Sequence, residues 1–287
     1  MRVSDAHLEE LRTNGFTVVE NFLDPDILAA AQAALWDVFP TPETYHAHPE
    51  EYGEFGKSQF AGIRHFPYPA WALNRLTVNP DMIDLAERFC GSTDLELYKV
   101  ELWSKYSGAI DYDQKLHRDY GNHTLVVPKK DTSFRQMTTF LLLSDVTEAD
   151  GPTKVVPRQL TDDGELSPQG QDFEHFRDQE ISVTGKAGTL FVYTTDVVHR
   201  GSAFTAPGRS RFTLLCDYQP RGWPWTGKVA WPNQANHPKW ASTLAQMTPR
   251  QRQLFGFPAP GDDYWDAQTL RDVARRYPRM DMTPYGG

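Results

Sequence analysis

Short apolar segments separated by turn residues fill the chain between residues 95 and 218, and this pattern restricts the fold more than any other feature. Residues 134–143 form an almost continuous apolar run, which predicts a strand in the middle of a sheet. Residues 186–193 predict a turn followed by a buried strand, and residues 211–218 predict another strand. Many short strands preceded by helices predict a mainly β fold, a double-stranded β-helix or jelly roll, supported by N-terminal and C-terminal helices.

Capping residues mark the helices that precede these strands. Ser4 is expected to begin a first helix, and Gly15 to end it. Asp24 predicts the start of a second helix that runs through Trp36. Residues 79–91 carry the same start and stop signals and predict a third helix.

A length of 287 residues fits one domain, in which the sequence distinguishes three parts. Residues 1–94 are expected to supply helical support and a lid loop, and residues 95–218 the jelly-roll core. Residues 219–287 form an extension rich in Trp and Pro, with helix-like stretches at 249–255 and 266–277. We expect the Trp cluster of this extension to brace the barrel or an oligomer contact rather than to bind substrate.

Two segments show little periodicity. Residues 40–71 are aromatic and irregular, which predicts a lid or a wall of the site, although packing on the outside of the barrel explains the aromatic residues equally well. Residues 160–179 are polar and acidic, and they predict a surface insertion that folds over the mouth of the site. The wall or lid candidates in the first segment are Tyr45, Tyr52, Phe55, Phe60, Arg64, His65 and Phe66.

A His-x-Asp pattern indicates a metal site. On an extended segment His117 and Asp119 point the same way, because strand side chains alternate faces, so both can bind one ion. His199, after a predicted turn, would complete two His and one carboxylate, the facial set of non-haem Fe(II) oxygenases. His-x-Asp also occurs by chance, and the strands around these three residues, the metal triad, favour the metal interpretation. His123 and His175 are weaker candidates for ligands.

Arg211 begins a predicted strand and shares one face of it with Thr213 and Leu215. A guanidinium on an otherwise apolar strand needs an anionic partner if it is buried. Its planar fork suits a carboxylate bound through both oxygens, and the Thr213 hydroxyl lies on the same side. Arg209 is the rival candidate, but Arg211 begins the strand in register with Thr213, whereas Arg209 follows Pro207-Gly208 in a turn.

The sequence resembles the phytanoyl-CoA dioxygenase family of Fe(II)/2-oxoglutarate-dependent oxygenases. The resemblance extends over residues 11–218 and rests on residues 114–119, 141–152 and 199–211. By this resemblance residues 155–158 form a barrel strand. The family usually carries Gly-Ser-His where this chain has Arg158-Gln159-Leu160.

The resemblance implies a reaction. The metal triad would bind Fe(II), and 2-oxoglutarate would chelate the iron while Arg211 pairs with its distal carboxylate, with Thr213 and Ser202 as hydrogen-bond donors. Dioxygen (O2) would then be used to hydroxylate an unactivated C–H bond of a small molecule, such as a natural-product intermediate, with release of succinate and CO2. Related halogenases lack the carboxylate ligand, so the presence of Asp119 favours hydroxylation. Desaturation and cyclisation stay open.

Two other functions stay open at this point. An oxoacid-independent, cupin-like iron oxygenase would need Arg211 only as a structural ion-pair residue. A non-catalytic jelly-roll binding protein would form no succinate under any condition. The intact metal triad, together with a carboxylate-binding Arg, favours the 2-oxoglutarate enzyme.

Composition limits the partners. A net charge of −9 and a pI near 5.5 argue against a nucleic acid or an anionic membrane. The two cysteines, Cys90 and Cys216, are expected to be free thiols, and no apolar run approaches membrane-spanning length, so a cytoplasmic monomer or homodimer is predicted. A CoA substrate is not expected, because its phosphates need a basic patch and the close cationic pair near the predicted mouth is Lys129-Lys130. We expect an uncharged or zwitterionic small substrate.

Overall fold

Two antiparallel sheets form the centre of the molecule. The computed structural model describes residues 2–109, 111–119, 123–126, 129, 135–161, 173–227, 229–235 and 237–287. The strands in these ranges are β1 (Phe16–Val19), β2 (Ile63–His65), β3 (Leu95–Tyr106), β4 (Met137–Leu142), β5 (Thr153–Val155), β6 (Ile181–Val183), β7 (Leu190–Thr194), β8 (His199–Gly201) and β9 (Ser210–Pro220). A six-stranded sheet has the order β1-β7-β4-β9-β3-β2, and a three-stranded sheet has the order β6-β5-β8. The predicted mainly β fold class is confirmed.

The large sheet is centred on three strands that the sequence predicted. β4 pairs with β7 on one side and β9 on the other, as expected of the apolar run at 134–143, of which residue 134 lies outside the described ranges. β3 and β9 pair along almost their whole length, from Leu95 opposite Pro220 to Tyr106 opposite Ser210. Side chains on alternate positions of these strands therefore face either the helices or the space between the two sheets.

The N-terminal helices begin and end where their capping residues predict. In α1 (Asp5–Asn14) the Ser4 hydroxyl accepts a hydrogen bond from the His7 amide, and Gly15 ends the helix with φ of 80°. The Asp24 carboxylate caps α2 (Pro25–Ala34), which is shorter than predicted because residues 35–37 tighten into a 3₁₀ turn.

Residues 40–71 contain more regular structure than the sequence indicated. They include α3 (Pro42–Ala47), the 3₁₀ segment Pro49–Gly56 and the edge strand β2. The helix α4 (Trp71–Thr77) follows and was not predicted; no side chain caps its N-terminus. The third predicted helix is α5 (Pro80–Cys90), capped by the Asn79 side chain and ended by Gly91 in a left-handed conformation. Short helices of this kind depend on tertiary packing more than on local signals.

Two predicted segments need correction. The strand predicted over residues 155–158 ends at Val155, since Pro157 cannot donate to a sheet and Arg158–Leu160 is a 3₁₀ turn. The insertion predicted over residues 160–179 is described only at its ends. Its C-terminal end, from residue 173, packs on the rest of the fold: Phe173 is buried, and the Glu174 carboxylate accepts a hydrogen bond from the Leu116 amide at 2.8 Å.

The C-terminal extension forms α6 (Pro238–Gln246), α7 (Pro249–Gln253) and α8 (Ala267–Arg276). α6 was not predicted, whereas α7 and α8 lie within the predicted helix-like stretches. Trp231 and Trp240 stack on each other at 5.8 Å and meet Phe66 and Phe255, so these tryptophans join the extension to the loop before α4. Cys90 and Cys216 are free thiols. None of the described helices has the length and apolar character that a membrane span requires.

Candidate active site

Backbone pairing brings the metal triad together. His117 and His199 lie opposite each other on an isolated antiparallel bridge, in which each amide donates to the carbonyl of the other residue at 2.9 Å. The extended backbone then places Asp119, two residues after His117, on the same side. His199 is the first residue of β8, directly after the turn that the sequence predicted.

The triad atoms fit a divalent metal ion. Nε2 of His117 lies 3.7 Å from Oδ1 of Asp119, and Nε2 of His199 lies 3.4 Å from Oδ2. One ligand atom from each of the three side chains lies within 4.8 Å of the other two. Two imidazoles and a carboxylate suit Fe(II) and leave further coordination positions open.

Hydrogen bonds fix both imidazoles in the tautomer that metal binding requires. Nδ1 of His117 lies 2.8 Å from the Lys115 carbonyl, and Nδ1 of His199 lies 3.0 Å from the Val197 carbonyl. A carbonyl can only accept, so each Nδ1 carries the hydrogen and each Nε2 keeps its lone pair. Both lone pairs are then available on the side of Asp119.

The environment also sets the charges of two triad members. Burial lowers the pKa of His199 to about 4, although Asp119 opposes the shift. Burial alone would raise the pKa of Asp119, but His199 and His123 outweigh it and hold that pKa below its usual value. At neutral pH, Asp119 is therefore ionised and His199 neutral, as metal ligation requires.

Tyr193 supports the carboxylate from behind. Its hydroxyl donates to Oδ2 of Asp119 at 3.0 Å, and its ring lies 4.7 Å from that of His199. Burial and the charge of Asp119 raise the pKa of Tyr193 well above its ordinary value, so the hydroxyl keeps its proton. Tyr193 lies in a strand that the sequence predicted, but it was not among the predicted site residues. The clue in the sequence was that Tyr193 follows Phe191 by two residues, so both side chains lie on the same face of the strand.

A cavity of about 340 Å³ lies beside the triad, between the two sheets. This volume is near the lower end for small-molecule sites, so a small ligand fits inside it. The lining residues are Gln59, Phe60, Ile63, Lys99, Glu101, Trp103, Lys105, Gln114, His117, Asp119, His123, Phe140, Thr153, Tyr193, His199, Gly201, Arg211 and Leu215.

Arg211 faces this cavity and Arg209 does not line it. The Arg211 guanidinium donates to the Gly151 carbonyl, and burial lowers its pKa to about 10, which still leaves it charged at neutral pH. Arg209 is half exposed and binds both oxygens of Asp150, at 2.8 and 2.9 Å. Of the two rivals, only Arg211 can therefore reach a ligand in the cavity without giving up a carboxylate partner.

Thr213 and Ser202 lie in different surroundings. Thr213 lines a void of about 20 Å³ together with Arg211, next to the main cavity. The Ser202 hydroxyl donates to the Pro152 carbonyl at 2.6 Å, and Ser202 is not among the residues that line the main cavity. Their roles as hydrogen-bond donors to the co-substrate stay predictions.

The remaining histidine and loop candidates are now placed. His123 lines the cavity but pairs with the Tyr98 hydroxyl at 2.7 Å and is outside the three-residue group, while exposed His175 packs on Phe176. Among the seven loop candidates, Phe60 lines the cavity. Tyr45, Phe55 and Phe66 are buried in the core cluster, Tyr52 packs against that cluster, Arg64 pairs with Glu54, and His65 is exposed.

Four cavity residues on β3 were not among the predicted site residues, namely Lys99, Glu101, Trp103 and Lys105. Three of them, Lys99, Glu101 and Lys105, are charged residues of the same parity along the strand, and this pattern is visible in the sequence. Lys105 lies directly opposite Arg211 in the β3–β9 pairing, so two cations approach one end of the cavity.

Comparison with known proteins agrees with this geometry. The phytanoyl-CoA dioxygenase (PhyH) family profile matches residues 11–213. No curated protein matches with significance. The fold is similar to the α-ketoglutarate-dependent carbocyclase SnoK from nogalamycin biosynthesis (18% identity, TM-score 0.58, 81% of this chain and 90% of that one).

Two further solved structures share the fold. One is the epimerase SnoN, solved with Fe³⁺, α-ketoglutarate and nogalamycin RO (17% identity, TM-score 0.53, 75% of this chain and 83% of that one). The other is AviO1 from Streptomyces viridochromogenes Tue57 (19% identity, TM-score 0.54, 79% of this chain and 99% of that one). The family match and the metal triad together confirm the expectation of iron and 2-oxoglutarate as cofactors.

Proposed function

The chain belongs to the phytanoyl-CoA dioxygenase family, and from that premise we propose that it hydroxylates an unactivated C–H bond of a small molecule, with Fe(II), 2-oxoglutarate and O2. One observation carries this proposal. Both imidazole Nε2 lone pairs and the Asp119 carboxylate converge on a cavity that a buried guanidinium, Arg211, also lines. A metal-binding set and a carboxylate-binding group on one small cavity match an enzyme whose co-substrate is a chelating dicarboxylate.

The chain's own residues have distinct tasks. The metal triad holds the iron, and Arg211 pairs with the distal carboxylate of 2-oxoglutarate. Lys105 lies opposite Arg211 at that end and pairs with Asp111 at 2.7 Å. Thr213 supplies a hydroxyl beside Arg211. Together these groups fix the co-substrate at both of its ends, which is the positioning that makes a bound reaction efficient.

When bound, iron supplies the chemistry that couples oxidative decarboxylation of 2-oxoglutarate, to succinate and CO2, with oxidation of a substrate C–H bond. The protein contributes fixed positions for the ligands and an apolar wall beside them. Tyr193 holds the Asp119 carboxylate at 3.0 Å, so one oxygen keeps a fixed direction toward the metal position. Phe60, Trp103 and Phe140 give the cavity an apolar wall.

The reaction class has one rival within the same chemistry. The solved neighbours include an epimerase and a carbocyclase, which supports epimerisation or ring formation as a second candidate. Asp119 occupies the ligand position that halogenases leave open, which argues against halogenation. The mass of the product separates the two candidates, since hydroxylation adds one oxygen atom, whereas epimerisation leaves the mass unchanged and ring formation by oxidation removes two hydrogens.

Succinate formation tests the cofactor requirement of this proposal, and the product mass tests the reaction class. The iron-loaded protein is incubated with 2-oxoglutarate, ascorbate and air, and succinate is measured by mass spectrometry with and without each component. We expect succinate to require iron, O2 and 2-oxoglutarate, to disappear in His199→Ala, and to persist in the exposed control His175→Ala. Oxygen consumption that does not depend on 2-oxoglutarate would instead identify an oxoacid-independent oxygenase.

A further inference from the structure

The interior face of β3 carries charged side chains beside the metal triad. Lys99 and Glu101 line the cavity, whereas Val100 and Leu102 belong to the apolar core on the opposite side of the sheet. Lys99 is 4% exposed and Glu101 is 2% exposed. Burial of a charged group costs free energy unless the group is paired. Two buried charged side chains on the wall of a cavity are therefore candidates for ligand binding.

Lys99 is held in its charged form by two carboxylates. Its Nζ lies 2.9 Å from Oδ2 of Asp217 and 3.9 Å from Oε2 of Glu101. Burial lowers the pKa of Lys99, but Asp217 and Glu101 outweigh burial and raise it. An ammonium has three N–H donors, and of these two carboxylates only Asp217 lies within hydrogen-bond distance of Nζ. Among the contacts of the described residues, this leaves a donor for a ligand in the cavity.

Glu101 and Trp103 continue the same wall. The Trp103 indole N–H donates to Oε2 of Glu101 at 3.1 Å, which fixes the carboxylate beside the ring. Phe60 and Phe140 meet Trp103 edge to face, with ring centroids 5.9 and 6.2 Å away. The wall thus presents a fixed donor, a fixed acceptor and an aromatic surface side by side.

We propose that Lys99 and Glu101 determine substrate specificity, and that the substrate is a small cyclic molecule with a vicinal diol or vicinal amino alcohol. This deepens the proposed function and rests on it for the position of the oxidised C–H bond. One substrate oxygen accepts from the Lys99 ammonium, and the neighbouring hydroxyl or amine donates to the Glu101 carboxylate. The C–H face of the ring lies on Trp103.

Other substrate classes fit this wall less well. A hydrocarbon would displace water from Lys99 and Glu101 without replacing its hydrogen bonds. A carboxylic acid would bring its charge beside the carboxylates of Glu101 and Asp217. The cavity of about 340 Å³ must also hold 2-oxoglutarate, so the remaining space suits a ring of modest size.

A set of small molecules that share a cyclohexane ring and differ in their polar groups tests this proposal. The full-length protein is loaded with Zn(II) and 2-oxoglutarate, and ligand-observed NMR measures the affinity of cis-cyclohexane-1,2-diol, cis-2-aminocyclohexanol, cyclohexanol and cyclohexanecarboxylate. A charge-assisted hydrogen bond contributes enough to change affinity about ten-fold. We expect the two vicinal fragments to bind about ten-fold more tightly than cyclohexanol, and the carboxylate to bind most weakly.

Variants of Lys99 and Glu101 test whether these two residues cause the tighter binding of the vicinal fragments. Glu101→Gln keeps the shape of the side chain, and Lys99→Met is combined with Asp217→Asn so that the Asp217 carboxylate is not left buried without its cationic partner. Each should remove the preference for the vicinal fragments, whereas the exposed controls Lys57→Met and Glu51→Gln should retain it. Equal binding of cyclohexanol and the vicinal fragments to the unmodified protein would overturn the proposal, as would a preference that survives in both wall variants.

The experiment separates this proposal from the function on which it rests. The charge-transfer band of the anaerobic Fe(II) and 2-oxoglutarate complex is recorded on the same protein preparation. A band without any fragment preference contradicts the assignment of Lys99 and Glu101 alone. A fragment preference without a band contradicts the cofactor assignment and leaves the specificity of the wall established.

Discussion

Tyr193→Phe isolates the contribution of one hydrogen bond to the metal centre. The substitution removes the hydroxyl that donates to Oδ2 of Asp119 at 3.0 Å and keeps the ring that packs 4.7 Å from His199. A hydrogen bond to a charged group contributes roughly 1.5–3 kcal/mol. Since about 1.4 kcal/mol corresponds to ten-fold in affinity, the variant should bind Fe(II) about 10- to 100-fold more weakly, the range found for outer partners of metal ligands.

Anaerobic competition with a chelator of known affinity measures this loss. Tyr218→Phe is the matched control, because Tyr218 is also fully buried but donates to the Thr77 carbonyl at 2.9 Å, in the hydrophobic core. The control should lose stability without losing iron affinity. If Tyr193→Phe binds iron as tightly as the unmodified protein, or if both variants lose affinity equally, the hydrogen bond does not orient Asp119.

Three further predictions concern the triad and its support. Single replacement of a triad residue by Ala should abolish iron-dependent turnover and leave the circular dichroism spectrum unchanged, because the sheets hold the site; full activity in any one variant would remove that residue from the ligand set. The unfolded chain protonates His199 near pH 6.5 and the folded metal-free chain only near pH 4, so urea unfolding should show up to about 3 kcal/mol of stability lost as the pH falls through this window; a loss of the same size in His199→Asn would contradict this. Gly15→Ala should lower the free energy of unfolding by more than about 1 kcal/mol, since φ is 80° and a Cβ would lie 2.3 Å from the Val197 side chain; an unchanged melting temperature would show that the turn adapts.

Local signals in the sequence were sufficient for much of the fold. Helix ends depend on caps such as Ser4 and Gly15, which act over three or four residues and are visible in the sequence. The metal triad was also accessible, because the period of a strand puts His117 and Asp119 on one side. His199 needed the family resemblance or the pattern of turns to be chosen over His123 and His175.

Features that depend on packing were not accessible in this way. The short helices α3 and α4 and the edge strand β2 lie in a segment whose aromatic residues gave no period. The role of the charged face of β3 depends on packing, because Lys99 and Glu101 face the cavity only once β3 has paired with β9. The sequence favoured Arg211 over Arg209, but it could not show the pairing of Arg209 with Asp150, a contact 59 residues away in sequence.

The central claim is that one cavity binds iron through the metal triad and 2-oxoglutarate through Arg211. The most direct measurement is anaerobic addition of Fe(II) and then 2-oxoglutarate to the metal-free protein, following the visible charge-transfer band of the chelate. We expect a band in the unmodified protein and in Arg209→Lys. In Arg211→Met we expect the affinity for 2-oxoglutarate to be at least about ten-fold weaker, because the distal carboxylate of 2-oxoglutarate would be buried without its charged partner. Iron bound without any band, or equal affinities in the two arginine variants, would contradict the claim.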